Sequence, residues 1–504
     1  MHILRLKRSA WRHVIGLAMI VGLTALAAAS AQAAAAAVPT TPAPVVEPGE
    51  GYTPAGQLRV RPASEIAGSN LSVGAETMCR DYTVYANWKQ HLGPLGAKRA
   101  RIQSGWAKTE KEPGKYNWAW MDEIVNDMVA QGVEPWVCLC YGNPAYPGGG
   151  TTGLGAKLIT TPEAWKAWEA YVAAYLDRYG KSIDEWEIWN EPHSTPAAYA
   201  ELVVRTAKVI RARQPKAWTI VAAGGSFDVK FVDGLLTILK EQGNLDLVNE
   251  VAYHPYQSNP DSSYKRVEDL RATIAKYSDK IGIRQGENGA PSEKGTFGAL
   301  RDYDWTEPRQ AKWATRRLLG DLGRDIPTSY FGICDMAYRV DGGKDAGDPN
   351  AGTLRVNFKG LLAINGEDKT VHHIKISYGA VQHITTVFDN ALERVRDAAI
   401  EVTGGADGSK FAAFLYKSKS GGQVLTLWRS SDPPGKNDAL GNVTVTVPGG
   451  QFTEPMWVDV VSGKVFKMDP ALMVKEGGKV TFRRVPVYDS AILIADKSAL
   501  PLAK

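Results

Sequence analysis

The sequence predicts an α/β chain, a (β/α)8 barrel followed by a C-terminal all-β domain of sandwich type. Three observations carry this. From about Gly68, short apolar segments alternate with amphipathic helical patterns until eight strand candidates have passed, the pattern of a parallel-stranded barrel. A doubly wound open sheet shares that alternation, but it needs a glycine fingerprint after its first strand, and none follows Leu71–Gly74. Beyond about Asn390 the alternation stops, and short β-rich segments separated by turn residues take over.

The strand candidates are Leu71–Gly74, Ala100–Gln103, Glu134–Leu139, Trp186–Trp189, Thr219–Ala222, Glu250–His254, Gly282–Glu287 and Ser329–Asp335. Between them, Met121, Ile124, Val125, Met128 and Val129 share one helical face, and Gly132 stops that run. Val267, Leu270, Ile274 and Tyr277 mark another apolar face. Thr161-Pro162 and Thr195-Pro196 each set a capping hydroxyl before a first-turn proline. In the tail, Phe411–Tyr416, Val424–Trp428, Val443–Val447, Met456–Val461 and Val485–Ile494 read as strands between Gly- and Pro-rich turns. The expected domains are a barrel over residues 67–390 and a β-sandwich over residues 391–504.

Residues 1–33 read as a signal peptide. Arg5, Lys7, Arg8 and Arg12 form a basic start, Val14 to Ala29 an apolar core, and Ala31-Gln32-Ala33 a cleavage site. An uncleaved anchor is the alternative, but roughly 16 apolar residues is short for a span. Residues 34–66, rich in Ala and Pro at their start, read as a flexible lead-in. These readings make the protein exported, periplasmic or secreted, with no membrane association after cleavage. The signal also holds four Lys/Arg and no acid, so a formal net charge of +5 falls to +1 without it. Such a balance offers no field for nucleic acid and points to a neutral polymer or small substrate. Cys79, Cys138, Cys140 and Cys334 lack disulfide-like or zinc-like spacing and read as buried thiols.

Two strand ends carry chemistry. The fourth strand runs Glu185-Trp186-Glu187-Ile188-Trp189-Asn190-Glu191-Pro192, and Pro192 turns the chain just after Glu191. Alternation puts Glu185, Glu187, Trp189 and Glu191 on one side, a polar set for a barrel strand. The seventh strand closes as Gly286-Glu287-Asn288-Gly289, with glycines suited to close backbone approach or positive φ. Barrel active sites sit at the carboxyl ends of the strands, and strands four and seven face one another across the ring. Two opposed carboxyls suit glycosidic cleavage: one protonates the leaving oxygen, and the other attacks the anomeric carbon or activates water.

Trp189-Asn190-Glu191-Pro192 together with the Gly-Glu-Asn-Gly strand end resembles clan A of the glycoside hydrolases, near families 5 and 39, over about residues 68–390. The resemblance implies Glu191 as acid/base, Glu287 as nucleophile and Asn190 on the sugar 2-hydroxyl. It implies that Arg101 supports the nucleophile and that Tyr256, in His254-Pro255-Tyr256, hydrogen-bonds it, with His254 beside them in the site. The segment Trp106–Trp120 resembles the loop after strand two, and Trp136–Pro144 resembles strand three with its loop. From these, Trp106 and Tyr141 are expected as sugar platforms, and Asn143 as a hydroxyl ligand. Clan members often close strand eight with a Trp under the substrate. Here Phe331–Tyr338 has none, which leaves Tyr338, or Trp305 from the loop after strand seven, for that role.

The expectation is therefore a retaining glycoside hydrolase acting by double displacement on β-linked oligo- or polysaccharide, with no metal or cofactor required. A non-catalytic polysaccharide binder on the same barrel is the alternative, and the presence of both carboxylates argues against it. An esterase or peptidase lacks its motifs, since there is no Gly-x-Ser-x-Gly and no His-Glu-x-x-His. Glycone, linkage, endo or exo action, the role of the β-domain and the oligomeric state stay open at this level.

Overall fold

The computed structural model describes residues 38–341, 344–345 and 352–503. The expected signal segment, residues 1–33, lies outside the described residues. Eight parallel strands close into a barrel in chain order: Leu71–Gly74, Arg99–Gln103, Glu134–Leu139, Glu185–Ile188, Trp218–Ala222, Glu250–Tyr253, Gly282–Asn288 and Thr328–Phe331. The first seven agree with their sequence candidates to within a residue or two at either end, because strands buried on both faces carry few turn residues. Strand eight is the exception, ending at Phe331 rather than Asp335. The Asp335 carboxylate instead accepts the Gly360 N–H at 2.8 Å and pairs with the buried Lys375 ammonium at 2.6 Å, which ties the chain into a loop.

The helices follow the capping signals. Thr161 accepts from Ala164 N at 3.3 Å above helix Pro162–Tyr179, and Thr195 from Ala198 N at 3.2 Å above helix Pro196–Arg213. After strand eight come two antiparallel pairs, Met336–Asp341 with Thr353–Asn357 and Leu362–Ile364 with Val371–Ile374, then helix Ile376–Val387. Among the described residues no helix is long and apolar enough to cross a membrane.

The C-terminal domain is two packed antiparallel sheets, one of seven strands and one of four. The candidate Val485–Ile494 is two strands, Lys479–Val487 and Ile492–Asp496, which lie in different sheets. The lead-in also differs from its reading as a free segment. Tyr52–Gln57 is the edge strand of the larger sheet, paired with Lys464–Met468 and bulged between Pro54 and Gly56. An edge strand tolerates proline, and a bulge uses glycine at positive φ, here +134° at Gly56. Linker-like composition and edge-strand composition therefore coincide. The sandwich packs on helix Glu307–Leu322 through polar contacts, including Lys312 to Asp489 at 2.9 Å and Arg316 to the Asp432 carbonyl at 2.9 Å. The four cysteines are free, and Cys138, Cys140 and Cys334 are buried.

Candidate active site

The site is built on polar residues that the barrel interior cannot leave unpaired. Arg101, on strand two, is fully buried. Its Nε and Nη2 donate to the two Glu187 oxygens at 2.7 and 2.8 Å. Its Nη1 donates to Glu76 at 2.8 Å and Glu287 at 3.0 Å, and Nη2 also reaches Asn190 Oδ1 at 2.8 Å. One guanidinium thus fixes three carboxylates and an amide at the barrel mouth.

Strand four delivers its residues through an unusual backbone. Strict alternation would put Trp189 on the same side as Glu187 and Glu191. Instead Trp189 takes φ +65° and packs its ring on Trp168 of helix Pro162–Tyr179, 5.9 Å between centroids. Glu191 follows at φ +45°. These left-handed turns let consecutive Asn190 and Glu191 both reach the mouth, at a cost of about 1–3 kcal/mol per strained residue. Asn190 Nδ2 then donates to the Tyr141 hydroxyl at 2.7 Å. On strand seven the glycines serve close approach rather than positive φ. A Cβ at 289 would stand 1.8 Å from the Phe331 carbonyl oxygen, and one at 286 would stand 3.2 Å from His254 Nε2.

Glu191 and Glu287 face one another with carboxylate oxygens within 4.8 Å, and His254 lies between them. His254 Nδ1 contacts Glu191 Oε1 at 2.7 Å and stands 3.8 Å from Glu287 Oε2. The Tyr256 hydroxyl donates to Glu287 Oε1 at 2.7 Å. Burial raises Glu191 above the usual carboxylate range despite its bond to His254. Burial would raise Glu287 as well, but His254, Arg101 and the Tyr256 hydrogen bond outweigh it and hold Glu287 low. His254 is raised, burial being overcome by Glu287 and Glu191. Glu76 is pushed up to about 8 by burial, with Arg101 opposing. The two carboxyls are therefore pushed apart, Glu191 up and Glu287 down.

Glu191, His254 and Glu287 form the one metal-spaced group among the described residues. Two ligands of a tetrahedral ion at about 2.0–2.2 Å from it would stand about 3.4 Å apart. The 2.7 Å contact between His254 and Glu191 has the length of a hydrogen bond, so the arrangement does not fit a resident metal.

Beside Glu287 lies a cavity of about 330 Å³ that reaches Glu76, Gln103, Tyr141, Asn190 and Tyr338. Of the expected residues, Arg101, Asn190, His254, Tyr256, Glu191 and Glu287 converge here, and Tyr141 and Tyr338 line the cavity. The other three do not reach it. Trp106 is fully buried between the Tyr146 and Tyr171 rings, stacked at 5.7 and 5.9 Å, so neither face is open to a sugar. Asn143 spends its amide inside its own loop, donating to the Glu110 carbonyl at 2.7 Å and accepting from Ala145 N at 3.0 Å. Trp305 is buried, with Nε1 on the Leu300 carbonyl at 2.6 Å. Sequence reading passed over Glu76, Gln103, Phe297 and Phe331. Glu76 carried a usable signal, a carboxylate just past an apolar strand, whereas Phe297 lies in a loop with no pattern.

No family sequence model matches the chain, and no curated protein matches it in sequence. Solved structures do resemble it. A family 39 glycoside hydrolase from the gut symbiont Bacteroides cellulosilyticus WH2 has a TM-score of 0.55 at 16% identity, over 87% of this chain and 81% of that one. A monomeric beta-xylosidase from Caulobacter crescentus CB15 has a TM-score of 0.51 at 15% identity, over 88% and 97%. A family 51 alpha-L-arabinofuranosidase from Bifidobacterium longum has a TM-score of 0.51 at 10% identity, over 88% and 97%. At such identities the likeness is one of fold: barrel and β-domain together match chains built in the same way, clan A glycoside hydrolases among them.

Proposed function

We propose that this protein is a retaining glycoside hydrolase acting on β-linked oligo- or polysaccharide, with Glu287 as nucleophile and Glu191 as acid/base. The observation that carries the reading is the opposed pair itself: two carboxyls within 4.8 Å, one raised and one lowered. Retaining enzymes hold their carboxyls about 5–5.5 Å apart, and inverting enzymes about 6.5–9.5 Å, to admit a water. Other folds and chemistries use barrels, but this spacing with this proton split fits double displacement.

In the first step a Glu287 oxygen bonds to the anomeric carbon while the glycosidic C–O bond breaks, and Glu191 gives its proton to the departing oxygen. In the second step Glu191, now an anion, takes a proton from water as the water oxygen bonds to the anomeric carbon. Glu287 leaves with its electron pair, and the configuration is restored. Tyr256 and Arg101 hold Glu287 in line and keep it ionised. His254, against Glu191, supports the reprotonation cycle. Asn190, fixed between Arg101 and Tyr141, presents its amide to the sugar ring.

The test is turnover of a panel of aryl β-glycosides by the parent protein and by Glu287→Gly. Loss of a nucleophile costs on the order of 10⁶-fold in kcat, and azide should restore turnover in the variant as an α-glycosyl azide. Rescue at Glu191→Gly with an inverted product, and none at Glu287→Gly, would reverse the roles. The reading further holds that residues 1–33 direct export. Material recovered outside the cytoplasm should begin at residue 34, and an intact N-terminus on that material would sink this part.

A further inference from the structure

We infer that the protein acts from chain ends, accepting one terminal sugar residue in a blind pocket beside the nucleophile. This rests on the glycosidase reading and goes beyond it by choosing exo over endo action. The acid must stand on the side of the departing group, because it protonates the glycosidic oxygen. The cavity adjoins the nucleophile: Glu287 and Asn190 are among its lining residues, and Glu191 and His254 are not. It is therefore the compartment for the sugar that becomes attached to Glu287.

That compartment ends in a wall made by three loops. After strand eight, the Ala337 N–H donates to the Tyr82 carbonyl of the loop after strand one at 3.0 Å. Above this bond the Tyr338 and Tyr82 rings pack at 4.6 Å, and Phe297, from the loop after strand seven, packs on Tyr338 at 5.1 Å. The strand-seven loop is pinned in turn by Phe297 N to the Val356 carbonyl and Ser292 N to the Phe358 carbonyl, both at 2.9 Å. A polysaccharide running through the site would have to pass this sutured wall. The cavity's volume, about 330 Å³, lies at the low end of small-molecule sites, ~300–1,000 Å³. Its two sides match a sugar ring: Phe297, Phe331 and Tyr338 offer an apolar face for ring C–H groups, and Glu76, Gln103 and Asn190 offer hydroxyl partners.

Aryl β-disaccharides distinguish the two modes. Removing one residue at a time first releases the terminal monosaccharide, so the aryl group appears only after a lag. Endo action would release the aryl group at once with an intact disaccharide, and that result would overturn the inference while leaving the glycosidase reading standing. Turnover of aryl monosides alone, with disaccharides refused, also supports a pocket for one ring. No turnover of either substrate, with no azide product from Glu287→Gly, would remove the glycosidase reading and this inference with it. Tyr338→Ala and Phe297→Ala should each breach the wall and raise direct aryl release from disaccharides relative to monosides, on the order of tenfold. An unchanged ratio in both variants would show that the wall does not set the selectivity.

Discussion

The barrel interior holds two arginine layers, and their difference locates the chemistry. Arg284 and Arg101 both lie against Trp136, their guanidinium carbons 4.6 and 5.5 Å from its ring centre. In the lower layer Arg284 binds Glu185 and Glu250, and Arg99 reaches Glu185 at 3.3 Å and Glu134 at 3.4 Å. In the upper layer one arginine and one histidine face Glu76, Glu187, Glu191 and Glu287. In the lower layer burial opposes ionisation, Arg284 and Arg99 hold Glu185 low against it, and Glu250 is raised by burial despite Arg284. Above, burial raises Glu191 and Glu76, with the neighbouring Glu287 adding to it, while His254, Arg101 and Tyr256 hold Glu287 low. Both layers thus hold a raised and a lowered carboxyl, but only the upper pair, Glu191 and Glu287, stands at the strand ends, where a substrate can meet it.

The largest break in this comparison comes along strand four. Glu191→Ala should lower turnover of glycosides with poor leaving groups by about 10²–10⁴-fold, the contribution of general acid–base catalysis. Activated aryl leaving groups should be spared, and the alkaline limb of the pH–rate profile should vanish. Glu185→Ala, on the same strand in the lower layer, should leave kcat/KM near the parent value. Equal kinetic losses at both positions would erase the distinction between the layers.

Next comes stability. Arg284→Met and Arg101→Met each strand buried carboxylates, at about 3–5 kcal/mol. Denaturant unfolding should show a loss in both variants, but only Arg101→Met should also abolish turnover in the folded fraction.

Smaller is Tyr256→Phe, which removes a hydrogen bond to a charged group worth about 1.5–3 kcal/mol. Glu287 should then titrate higher, and the acid limb of kcat/KM should move to higher pH. An unmoved limb would mean that Tyr256 does not tune the nucleophile.

A last test reads the upper layer through pH rather than through a lost contact. Glu76 has its folded pKa raised, from 4.5 to about 8. Its contribution to stability is therefore complete below its ordinary value and is lost as pH rises through about 8. Melting temperature should decline over that window in the parent and less steeply in Glu76→Gln.

The site was legible where a residue type and a strand end coincided. Glu191 and Glu287 sit at such ends, and Arg101 within its strand meets their layer because parallel strands share a level. Trp106, Trp305 and Asn143 misled because an aromatic or amide in a loop near the mouth reads the same whether it faces the cavity or its own loop. Only the Tyr146 and Tyr171 rings over Trp106, or the Glu110 carbonyl at Asn143, decide which.

By itself, the sequence determined the eight barrel strands, the capped helices between them, the β-rich tail and the opposed carboxylates. Each depends on local periodicity, capping and strand-end position, which a chain carries wherever it folds. Tertiary structure alone decided that Tyr52–Gln57 closes a sheet edge, that Trp189 leaves the alternation so that Asn190 and Glu191 arrive together, and that three loops wall the pocket. Those outcomes depend on contacts between distant segments, and a hydrogen bond from Ala337 to Tyr82 has no signature in either segment read alone.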